Sequence, residues 1–300
     1  MSTGAPPGDH VPDGAQLNIA QGQATQNIVQ HGNQYISGPP NYRMDKVHPP
    51  PPDVPSAARR APSRLLAARY QVVDFTGREP ELAELASWRD DPELGLAVRL
   101  VHGPGGQGKT RLAAQFAQHC AERGWAVAQA VHRRYDTSPT TALDTTRLRD
   151  SAGLLLIVDY AERWPMSDLL ALAQDPLLRA GVPTRVLLLS RPAGLWWDNL
   201  AYRLADRFDM ATDQTQLTAL ADTVSARTAV FTAARDRFAA LLDVTDADQI
   251  PTPARLGEDA FGLVLTVHMA ALTAVDAHTR RESPPSDPAA LSAYLLNRER

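Results

Sequence analysis

Gly103-Pro104-Gly105-Gly106-Gln107-Gly108-Lys109-Thr110 satisfies the pattern G-x-x-x-x-G-K-[ST] at every fixed position. Glycine lets such a loop fold tightly around an anion, its backbone N–H groups turned inward where side chains would block the approach. Lys109 is placed to reach the β- and γ-phosphates of a nucleotide, and Thr110 to offer its hydroxyl to Mg²⁺. The flanks supply the context the pattern needs. Leu96 to His102 is a short apolar run suited to a buried parallel strand. Thr110 to Glu122 reads as a helix whose positive N-terminal end faces the same anion. Gly103, Gly105, Gly106, Gln107, Gly108, Lys109 and Thr110 are therefore candidate nucleotide-binding residues.

Outward from the loop, apolar runs alternate with helical segments. Trp125 to Val131, Leu154 to Val158 and Arg185 to Leu189 read as three further strands, and 80–89 as a helix before the loop. This alternation predicts an α/β fold, a P-loop NTPase parallel sheet flanked by helices. After Arg191 the strand signals stop. Helical patterns near 193–205, 215–242, 258–277 and 287–300 predict a small helical subdomain. The pattern runs to Arg300 with no glycine cap, which suggests that the helical subdomain is truncated.

Two strand ends carry chemistry. Leu154-Leu155-Leu156-Ile157-Val158 delivers Asp159 to the sheet edge where ligands bind in open α/β sheets, making it the second Mg²⁺ ligand beside Thr110. Tyr160 stands where many hydrolytic relatives of this loop carry a second acid, and the nearest carboxylate is Glu162. Glu162 either polarises water or is a solvated residue opening a helix, so a slow ATPase is expected. Arg185 to Ser190 delivers Arg191 to the same edge. There a guanidinium fork can sense a terminal phosphate, the alternative being a surface ion pair.

The first 63 residues differ in kind. They are rich in Gly, Pro, Gln and Asn and end in His48-Pro49-Pro50-Pro51-Pro52-Asp53-Val54-Pro55, an extended spacer. Asn18-Ile19-Ala20-Gln21 recurs nine positions later as Asn27-Ile28-Val29-Gln30. The segment reads either as a disordered polar tail or as a strand-forming segment that stacks on copies of itself. The expected organisation is a low-complexity tail over 1–63, a nucleotide-binding domain over 64–210 and a helical subdomain over 211–300.

Composition narrows the field. The 30 basic and 34 acidic residues nearly cancel, which favours neither a nucleic-acid nor a membrane surface. The compact basic cluster His132-Arg133-Arg134 reads as a solvated loop edge. One cysteine, Cys120, forbids an intrachain disulfide and suits a reducing, cytoplasmic setting; its place on the helix after the loop makes it a packing residue. No apolar stretch approaches the roughly 18 residues of a membrane span.

Taken together, the motifs resemble those of the signal-transduction ATPases with numerous domains, the STAND group that includes NB-ARC and apoptosome-type proteins. Phe75-Thr76-Gly77-Arg78-Glu79 is similar to the Gly-Arg-Glu motif ahead of their phosphate loop, and Ser190-Arg191 to their sensor strand. Gly262-Leu263-Val264 stands where they carry Gly-x-Pro, with Val264 in place of the proline. The resemblance implies ATP/ADP with Mg²⁺ as cofactors, and Gly77 and Arg78 near adenine and ribose. It further implies a switch in which exchange of ADP for ATP drives self-association. By the same resemblance, residues 16–38 occupy the effector position and engage a partner with a matching motif. A phosphate-transferring enzyme would need a lid and a base, and neither is evident. A DNA-associated AAA-like ATPase shares the strand logic, but the chain lacks a basic recognition helix.

Overall fold

The computed structural model describes residues 16–17, 26–30, 33–37, 40–47, 49–51, 53–134, 143, 145–220 and 222–298. These fall into two compact units, 1–41 and 42–300. The first holds three antiparallel strands in the order β1 (Gln16–Leu17), β2 (Gln26–Gln30), β3 (Asn33–Ser37). The second copy of the tetrapeptide repeat lies in β2, where Asn27 pairs with Ile36 and Ile28 with Tyr35. The first copy, 18–21, lies outside the described residues.

The second unit is built on a six-stranded sheet. Its strands are β4 (Tyr42–Lys46), β5 (Leu96–His102), β6 (Ala126–His132), β7 (Leu154–Val158), β8 (Thr184–Ser190) and β9 (Ala211–Gln216), in the order β4-β6-β7-β8-β5-β9. All are parallel except β4, which runs antiparallel to β6. Every residue of β7 and β8 is buried, as central strands covered on both faces require.

Alternation along the strands builds two separate cores. Val98, Leu100, Leu154, Leu156, Val158, Val186 and Leu188 face α4 (Met166–Ala173) and α5 (Gly194–Phe208). Ala97, Val101, Leu155, Ile157, Leu187 and Leu189 face α2 (Glu79–Asp90) and α3 (Lys109–Glu122). Each fully buried leucine stabilises this sandwich by about 1.5–3 kcal/mol. Arg185 sits buried on β8 and donates to the carbonyls of Trp88, Arg89, Asp91, Leu94 and Gly95, closing the C-terminal end of α2. Cys120 is fully buried in the second core, and burial pushes its thiol up to about 11.

A third core belongs to the helical region. There α6 (Val224–Leu241), α7 (Val264–Arg280) and α8 (Pro288–Asn297) pack through Phe231, Phe238, Val267, Leu272 and Leu291. Ala58, on the short helix α1 (Ser56–Arg59), and Leu65 and Val72 pack in this core as well. This is an α/β P-loop NTPase fold followed by a helical region. Among the described residues no helix is long and apolar enough to cross a membrane.

Four sequence expectations need correction. Tyr42–Lys46, assigned to a coreless tail, is an edge strand; Tyr42 buries its ring and donates to Asp175 at 2.9 Å. Residues 58–72, divided between that tail and the nucleotide domain, serve the helical core. The strands do not stop at Arg191, because β9 extends the sheet beside β5 through backbone pairing while most of its side chains stay exposed. His132 is no solvated loop residue: it ends β6 buried, its Nε2 at 2.8 Å from Asp168.

Candidate functional site

The loop strand β5 and the Asp159 strand β7 both flank β8, so Thr110, Asp159, Ser190 and Arg191 meet at one edge of the sheet. They line a cavity of about 370 Å³ together with Gly105, Gly106, Gln107, Gly108 and Lys109. That volume lies within the usual span of small-molecule sites.

The loop closes on itself and on its neighbours. Lys109 Nζ donates to the carbonyls of Gly103 at 2.6 Å and Pro104 at 2.8 Å. Burial holds its ammonium below its ordinary pKa, with Asp159 and Glu162 opposing that shift. Gly103 is not on the cavity wall; its N–H donates to the Arg191 carbonyl at 2.8 Å and ties the loop to the end of β8. Arg191 Nε lies 3.6 Å from where a Cβ on Gly105 would stand, so its guanidinium hangs over the loop. Gly106 has φ +81°, and a Cβ there would come within 3.1 Å of Leu265 Cβ, so no larger residue fits without a shift.

Thr110 Oγ1 donates to Asp159 Oδ2 at 3.0 Å, and the Tyr160 N–H donates to Asp159 Oδ1 at 2.8 Å. Burial raises the Asp159 carboxyl above the ordinary carboxylate value, the Thr110 hydrogen bond opposing it. A hydroxyl and a carboxylate side by side are the hard oxygen donors that Mg²⁺ accepts while keeping water and phosphate oxygens, so the residues fit that ion.

Other expected residues sit differently. Arg78 lines the cavity but is buried and braced, donating from Nη2 to the carbonyls of Gln107 and Thr218 at 3.3 and 2.8 Å. Gly77, at φ +77°, turns the chain beneath it and is off the wall, where Phe75 and Thr76 stand instead. Glu162 is off the wall too; its Oε2 is buried with no hydrogen-bond partner among the described residues. Tyr160 takes its place beside Asp159, held at φ +54° with the Arg163 guanidinium 4.4 Å above its ring.

The far half of the cavity uses residues that sequence motifs did not single out. Leu66, Val73, Val230 and Ala233 supply carbon walls, and Arg111, Leu220 and His268 complete them. Val264, the residue in place of the Gly-x-Pro proline, and its neighbour Leu265 at the start of α7 also line it, and the Leu265 N–H donates to the Gly106 carbonyl at 3.2 Å. Only their convergence in space marks these residues as a site.

No protein-family model and no curated protein matches the chain. Solved structures do resemble it. The Aeropyrum pernix ORC2 protein, in its ADPNP-ADP complexes, is 16% identical with a TM-score of 0.48, covering 79% of this chain and 71% of that one. Domain III of the Thermotoga maritima replication initiation protein DnaA is 15% identical with a TM-score of 0.45, covering 78% and 96%. A Thermotoga maritima RuvB variant is 17% identical with a TM-score of 0.41, covering 76% and 72%.

Proposed function

We propose that this chain is an ATP/ADP-binding regulatory switch of the STAND type, in which exchange of ADP for ATP drives self-association and signalling. One observation carries the reading: the backbone of the phosphate loop is hydrogen-bonded to the first turn of α7, from Leu265 N–H to Gly106 carbonyl. A change in the loop's occupancy therefore acts directly on the helical region, which is the coupling a switch needs.

The residues divide the work. Loop N–H groups and the N-terminal end of α3 cradle the phosphates, and Lys109 moves from the loop carbonyls to the terminal phosphate oxygens. Thr110 and Asp159 would hold Mg²⁺, which supplies charge neutralisation between the phosphates when bound. Arg191, already over Gly105, distinguishes a γ-phosphate from its absence. Tyr160, not a second acid, follows Asp159, and Glu162, though close enough for its charge to act on Asp159, is off the cavity wall and so not placed to activate water; turnover is slow. Residues 16–38 serve as the effector segment. Clustering raises their local concentration and seeds strand stacking onto a partner.

The test is nucleotide content and mass in solution, for the purified protein and a Lys109→Ala variant. Retained ADP that the variant lacks, with a monomer that assembles when ATP is supplied, supports the switch. Rapid multiple turnover at constant mass overturns it in favour of an ordinary enzyme. DNA binding that falls steeply with added salt overturns it in favour of a DNA-associated ATPase.

A further inference from the structure

The far half of the cavity sets one imidazole among mostly carbon walls, with the Arg111 and Asp74 side chains on the same lining. His268 lies on α7 three residues beyond Leu265, about 4.5 Å along the helix axis. Val230 and Ala233 of α6 line the same half, as does the Val73–Phe75 segment, which Arg111 fastens by donating to the Val73 carbonyl at 2.8 Å. No hydrogen bond to another described residue engages the His268 ring. The ring nitrogens are open to the cavity, where a bound ligand can take the place of solvent.

We infer that His268 reads the base: one ring nitrogen accepts a hydrogen bond from the exocyclic amine of an adenine whose faces pack on Val73, Phe75 and Val230. The assignment rests on the nucleotide reading above and adds what no sequence motif gives, the choice of base. Burial, aided by the Arg111 charge, pushes the imidazole down to about 4, so at neutral pH it is uncharged and keeps a lone pair to offer. Hypoxanthine puts an oxygen where adenine has its amine and an N1–H beside it, which asks the pocket for a second acceptor. To pair with that oxygen the imidazole must take its other tautomer and donate, and the N1–H is then left without an acceptor, so the analogue binds less well.

The experiment is calorimetric titration of the full chain with ADP and with inosine diphosphate, for the wild type, His268→Phe and His268→Gln. The wild type is expected to bind ADP about tenfold tighter than the inosine analogue. His268→Phe keeps a ring of similar size and should bring ADP down to the inosine level, leaving the inosine value nearly unchanged. His268→Gln restores an acceptor and should recover part of the preference. Equal binding of the two by the wild type, or a preference that survives in His268→Phe, overturns the base-reading role and leaves the nucleotide site standing. Binding of neither by the wild type overturns the nucleotide reading and this assignment together. Should His268→Phe fail to fold, ¹⁵N-labelled imidazoles in the wild type decide. A His268 ring nitrogen whose resonance shifts with ADP and not with the inosine analogue supports the role, and an unmoved resonance overturns it.

Discussion

The two halves of the cavity are made in different ways. The phosphate half comes from the sheet: six consecutive residues, 105–110, plus the ends of β7 and β8, held by backbone hydrogen bonds and by the Thr110–Asp159 pair. The far half comes from carbon contributed by distant segments, with Leu66, Val73 and Phe75 ahead of the loop and Val230, Ala233, Val264 and His268 in the helical region. The first half is rigid because parallel strands buried on both faces fix it. The second exists only while α6 and α7 lie against the loop. On the proposed reading, a ligand spanning both halves would feel, and set, the position of the helical region.

The comparison can be broken at either half. The largest effect is expected from Lys109→Ala, which removes the charge from the phosphate half. ADP affinity should fall about a hundredfold or more by calorimetry, with the melting temperature of the ligand-free protein little changed. Gly106→Val attacks the junction, since it puts a β-branched residue at φ +81° against Leu265. A loss of about 2 kcal/mol in urea unfolding is expected, together with an earlier separate transition for the helical region. Phe75→Ala thins the far half, and also the packing against the core beneath α2 and α3. It should weaken ADP about tenfold and leave inorganic pyrophosphate unaffected, a contrast that vanishes if the halves are not separable.

Asp159→Asn gives the smallest effect and the sharpest sign. Burial holds the Asp159 carboxyl above its unfolded value, so its ionised form opposes folding, and stability is gained as pH falls through the raised value. Removing the charge should raise the melting temperature of the ligand-free protein and abolish the extra stabilisation by Mg²⁺ with nucleotide. A lowered melting temperature would mean that the Thr110 hydrogen bond outweighs burial.

The same contrast explains what the sequence disclosed. The phosphate half was legible because its residues are contiguous or stand at the ends of uninterrupted apolar runs, so motif and strand periodicity coincide at Lys109, Asp159 and Arg191. The flanking strands were not. β9 carries Asp213, Gln214 and Gln216 and is held by pairing with β5, with Asp213 taking the Arg99 guanidinium, so it lacks the apolar signature of a strand. β4 lay hidden because Tyr42 and Met44 are its only buried apolar anchors, in a region rich in proline and polar residues. The far half was unreadable for another reason. Val230, Ala233 and His268 look like ordinary helix residues until α6 and α7 fold over the loop. Helical spacing shows that a face is apolar and says nothing about what covers it.

Hydrogen exchange at the first turn of α7 tests the coupling most directly. Peptides covering 263–270 should be compared in the protein loaded with ADP and with a non-hydrolysable ATP analogue. The account predicts slow exchange at Leu265 with ADP, where the Gly106 carbonyl holds its N–H, and faster exchange with the analogue as the loop changes partner. Identical exchange in the two states, with both nucleotides bound, would contradict it.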